Sequence, residues 1–239
     1  MAAMTLDDLT GQLRHMHGGK LRCVVLYGSA AANEQLERQS DLNVLVLVDT
    51  IDPAQLEALG QTARAWEEAG NPPPLELTVS EWQRSADIFP MEYADILERH
   101  RVLFGELPTQ GVQVSLADLR RQTEHEAMGK VLRLRQGIMR AGTDVKQQTE
   151  LLRASHSTLM VVFRAAVRTT GVRAPSDRDA LITQTAQLAE FDAAPFLRVL
   201  SIVRGGAEPK GKEAEQLLFG TLAGMERLTA WLDAHVAAH

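Results

Sequence analysis

Cysteine is nearly missing from the 239 residues, with Cys23 the single example. One thiol excludes an intrachain disulfide and any cysteine-based zinc motif. Its position within an apolar run reads as a small buried residue. Aromatic residues make up only 5% of the chain, and Trp66, Trp82 and Trp231 fall at amphipathic positions suited to core packing. No apolar run approaches the roughly 18 residues of a membrane span, and the N-terminus lacks a basic start followed by an apolar segment, so a cytoplasmic, non-membrane protein is expected. Internal repeats and low-complexity tracts are also lacking.

The 45% hydrophobic content is enough for packed cores, in one large domain or two of ordinary size. Charge is uneven. Residues 1–109 carry 8 Lys/Arg against 17 Asp/Glu, a balance of −9, whereas residues 110–239 carry 17 against 14, a balance of +3. An acidic front half repels phosphates unless a cation intervenes, which argues against a nucleic-acid surface there. Acid with metal, facing a basic partner lobe, would suit a nucleoside triphosphate. A solvated surface with chance asymmetry accounts for the same numbers.

Residues 21–48, LRCVVLYGSAAANEQLERQSDLNVLVLV, organise the front half. An apolar run ends in Gly28-Ser29, and a second opens about a dozen residues later with Ser40-Asp41-Leu42-Asn43. The pattern predicts strand, tight turn, short helix or loop, strand. Side-chain alternation puts Asp41 and Asn43 on one face and Leu42, Val44, Val46 and Val48 on the other. Two polar groups at the edge of an apolar sheet need partners. Asp41 could find them in the backbone N–H groups of the Gly28 loop.

Around this core the spacing predicts a helix over 5–17, capped by Thr5, and another over 53–69, started by Asp52-Pro53. Gly70 to Pro74 form a rigid turn, Leu75 to Val79 a third strand, Ser80-Glu81-Trp82 a helix start, and Val102 to Phe104 a short strand. Residues 105–114 read as a linker. Beyond it everything reads as helix: 115–141 behind Ser115, 144–170, one opened by Ser176-x-x-Asp179, a short one over 196–203, and a last one from about Lys212. The expected fold class is α+β, with domains over 1–108 and 115–239.

Gly28-Ser29, followed by Asp41-x-Asn43 on the next strand, resembles the signature of the nucleotidyltransferase superfamily, in particular its minimal and antibiotic-modifying members. ADILERHRVLFGE, ending at Glu106, resembles the segment that closes many of them. The resemblance implies a small mixed sheet with flanking helices followed by a helical bundle. It implies Gly28, Ser29 and Ser40 on the phosphates of a nucleoside triphosphate, with Asp41, Asn43 and Glu76 around Mg²⁺. Asp41 and Glu76 would be the catalytic carboxylates. For Glu76 an edge-strand side chain in water is the other reading.

Nucleotidyl transfer needs a cation to neutralise phosphate charge and a carboxylate to help deprotonate the acceptor. Asn43 stands where the family has its second Asp, and an amide oxygen holds Mg²⁺ more weakly. Two outcomes follow: transfer of a nucleoside monophosphate to a hydroxyl of a small molecule or protein, or a module that binds nucleotide or a partner without transfer. The acceptor cannot be read, and a cleft within one chain or between the subunits of a homodimer would look the same. Arg120 and His125 also have the Arg-x(4–6)-His spacing of HEPN ribonucleases, while Arg153 and His156 could contact phosphate or simply pack.

Overall fold

The computed structural model describes residues 3–32 and 41–236. The chain divides into two compact units, Met1–Val114 and Ser115–His239.

The first unit is built on a four-stranded mixed sheet, with its first two strands at the apolar runs of residues 21–48. Its strands are β1 (Leu21–Tyr27), β2 (Asn43–Val48), β3 (Leu75–Thr78) and β4 (His100–Gly105), in the spatial order β3-β2-β1-β4. β1 pairs antiparallel with both β2 and β4, and β2 pairs parallel with β3. Both faces are covered, which is why Cys23 to Leu26 form an unbroken apolar run, all fully buried.

One face packs under α1 (Leu6–His17) and α2 (Pro53–Glu68). Val24, Leu26, Val44, Val46 and Val48 meet Leu9, Leu13, Leu59 and Trp66 there, with Leu42 at the margin. The other face carries Cys23, Val25, Leu45 and Leu47 against Trp82 of α3 (Val79–Arg84) and Tyr93 and Ile96 of α4 (Pro90–Glu98). The segment 105–114, expected to be a linker, belongs to this core. Leu107 and Val112 are buried in it, and Pro108 O accepts a hydrogen bond from Trp82 Nε1 at 2.8 Å.

Local chemistry sets the boundaries. Thr5 and Asp8 form a reciprocal capping box on α1, and Thr78 and Glu81 do the same on α3. The second box ends β3 at Thr78, one residue earlier than the apolar run predicts. Gly105 must be glycine. Its φ is +71°, and a Cβ there would lie 1.9 Å from Arg22 O.

The second unit is helical, with α5 (Leu116–Ala141), α6 (Val145–Arg168), α7 (Arg178–Ala189), α8 (Ala194–Val203) and α9 (Glu213–Val236). Ser115, Asp144 and Asp177 cap α5, α6 and α7 through their side chains. Ser176 was the expected opening of α7, but the cap is one residue later. Phe163, Phe191 and Phe196 form an aromatic cluster with centroids 5.1–5.7 Å apart. Among the described residues no helix is long and apolar enough to cross a membrane.

Candidate functional site

The corner where β1 ends brings several polar groups together. Tyr27, the last residue of β1, is paired with Asn43 on one side and His100 on the other. The chain then turns through Gly28 at φ +81°, a conformation that favours glycine. The turn continues as the short 3₁₀ segment Ser29–Ala32. Gly28 N donates to Arg99 O at 3.3 Å, so the turn is tied to the end of α4.

Asn43 shares its face with Leu45 and Leu47, the face covered by α4. From that helix comes a residue that the sequence reading passed over, Asp95. A Cβ built on Gly28 would lie 3.5 Å from Asp95 Oδ2 and 3.7 Å from Asn43 Nδ2. The carboxylate and the amide therefore flank one point. Asp95 Oδ1 accepts from Arg99 Nη2 at 2.8 Å, with the Asp and Arg side chains only 19% and 6% exposed. A close, shielded pair of this kind is held far more firmly than a surface ion pair. Burial, with Glu92 and Asp95 close by, pushes the Tyr27 phenol up to about 12, so it stays protonated.

The other expected site residues are distributed as follows. Asp41 is exposed just ahead of β2, where Leu42 N donates to Asn71 Oδ1 at 3.0 Å. The Ser29 side chain and all of Ser40 lie outside the described residues. Glu76 sits beside Val46 in the parallel register of β2 and β3. It therefore projects to the face of α1 and α2, opposite Asn43. There its carboxylate comes 3.7 Å from His17 Nε2, with the two side chains 12% and 0% exposed. Burial raises the Glu76 carboxyl above its ordinary range. Burial, and then the charge of Lys20, lowers the His17 imidazole.

Asp41, Asn43 and Glu76 thus do not converge on one point. Mg²⁺ favours hard anionic oxygens at near-octahedral angles. With Glu76 across the sheet and a neutral amide at Asn43, these three residues do not fit the cation site that the resemblance implies. Among the described residues, no group of three or more His, Cys, Asp or Glu is placed to hold a metal ion.

In the helical unit, Arg120 and His125 are five residues apart on α5, about 140° around the helix axis, and His125 is exposed. Arg153 donates to Ile202 O at 3.0 Å and pairs with Glu208, which is a packing role. His156 is buried with its Nε2 unpartnered. Burial, with Arg178 and Arg204 nearby, lowers its imidazole to about 4.

Asp95 left one trace in the sequence, its i, i+4 spacing to Arg99 beside the apolar Tyr93 and Ile96. That spacing equally describes a solvated helix face. Compared with known proteins, the chain matches no family model, and no curated protein matches it at a significant level.

Proposed function

We propose that the first unit is a nucleotidyltransferase-like module that binds a nucleoside triphosphate at the Gly28 turn without transferring it. The observation that carries this reading is the position of Glu76. Nucleotidyl transfer relies on carboxylates gathered on a cation beside the phosphates. Here one of the two expected carboxylates projects from the opposite sheet face, against His17. Support for nucleotide binding comes from the Gly-Ser turn at the end of an apolar strand, with Asp41 and Asn43 at the start of the next. The absence of an apolar spanning helix among the described residues accords with a cytoplasmic nucleotide pool.

Isothermal titration of ATP and of GTP, each with and without Mg²⁺, tests the proposal. The expected result is nucleotide binding with no pyrophosphate released in the presence of candidate acceptors. Binding that appears only with Mg²⁺ and leads to pyrophosphate release would establish the transferase instead.

A further inference from the structure

Asn43 looks like a lost acid when the sequence is read alone. The structure gives it a counterpart. Asp95 Oδ2 and Asn43 Nδ2 lie 3.5 and 3.7 Å from the same point above Gly28. The first comes from α4 and the second from β2. An aspartate at position 43 would set a second carboxylate beside Asp95, in a corner walled by Tyr27 and the backbone of Arg99. Two carboxylates sharing a partly buried site repel each other unless a cation or a proton lies between them. An amide avoids this because its N–H₂ can donate where a second acid could only repel.

We propose that Asp95 is the specificity-determining residue of this corner. It supplies a carboxylate to this corner from α4, and Asn43 is the residue matched to it. The amide can donate to a ligand oxygen while the carboxylate accepts from a ligand hydroxyl or amino group, where two acids would demand a divalent cation. Arg99 fixes the arrangement from behind, because its guanidinium engages Asp95 Oδ1 while its carbonyl receives Gly28 N. Glu92 adds a further negative charge near Tyr27, which increases the cost of a second acid at position 43. The inference rests on the nucleotide-binding reading only for the identity of the ligand; the matching of Asn43 to Asp95 stands on geometry.

The test is a mutant cycle in the full chain: Asn43→Asp, Asp95→Asn and the double exchange, each melted with and without Mg²⁺. Asn43→Asp is expected to lower Tm by about 5 °C, and Mg²⁺ is expected to restore most of that loss by entering between the two carboxylates. The double exchange, which returns one acid and one amide to the corner, is expected within about 2 °C of wild type. Additive losses in the double variant, or an Asn43→Asp protein indifferent to Mg²⁺, overturn the proposal. If Asn43→Asp does not fold, the double exchange decides alone: native circular dichroism supports the matching, and failure to fold overturns it. ATP titration of wild type is read separately. A wild type that ignores ATP while the cycle shows coupling overturns the nucleotide reading and leaves the matching intact.

Discussion

The sheet unit buries an acid–base pair under each of its faces, and the two differ in every respect that matters. Under α4, Asp95 and Arg99 meet at 2.8 Å. Under α1 and α2, Glu76 and His17 stand 3.7 Å apart. There Glu76 Oε1 and both ring nitrogens of His17 lack hydrogen-bond partners, and burial pushes each group toward its neutral form. One face thus holds a charged pair that can support a polar corner. The other holds two titratable groups that the fold tolerates at a cost.

The sharpest way to break that contrast is Arg99→Met. It strands the shielded Asp95 carboxylate, and the expected loss is about 3 kcal/mol of stability in urea denaturation. Asp95→Asn should lose less, because the asparagine amide oxygen still accepts from the guanidinium.

Next in size is Gly28→Ala. The space is adequate, but a φ of +81° is strained for alanine, and about 1–2 kcal/mol should be lost. The same variant should weaken ATP binding.

On the opposite face the sign reverses. Glu76→Leu removes a carboxylate with no hydrogen-bond partner on one oxygen, and should stabilise the protein by about 1 kcal/mol at neutral pH. The pH dependence tests this cause. Because the folded Glu76 carboxyl is raised above its unfolded value, its favourable contribution is complete below the unfolded value and is lost as pH rises through the folded one. Wild type should therefore fall relative to Glu76→Leu across that interval in pH-dependent denaturation, and parallel curves would show that the carboxylate is not strained.

The smallest effect belongs to Arg22→Ala. Arg22 Nε donates to Asp49 Oδ1 at 2.6 Å, a shorter contact than the Asp95 pair, yet both side chains are well exposed. Solvent and salt screen such a pair, so the urea midpoint should not move. A large shift would mean that distance, not burial, ranks the ion pairs of this sheet.

Much of the fold was legible. The Val and Leu runs specified β1 and β2, the alternation put Leu42, Val44, Val46 and Val48 under one set of helices, and Thr5, Asp52 and Ser115 marked helix starts. The site was less legible, for reasons that are physical. A strand's facing depends on its register, and a slip of one residue would have sent Glu76 to the other side. Nothing in LELT specifies the parallel pairing with β2 that fixes it. Asp95 shares its helix with the acids Glu92 and Glu98 between buried Tyr93 and Ile96, and only tertiary packing turns it toward Gly28. Leu107 and Val112 were read as linker because Pro108 and Gly111 interrupt them, although burial of two apolar side chains outweighs that punctuation.

Trp82 lies at the meeting point of these effects. Its indole stacks on Tyr93 at 4.3 Å between centroids and reaches across to Pro108, so one chromophore touches both α4 and the strap that leads out of the sheet unit. In a protein whose Trp66 and Trp231 are replaced by phenylalanine, its emission becomes an optical gauge of that strap. A red shift would register the strap peeling away before the sheet itself opens.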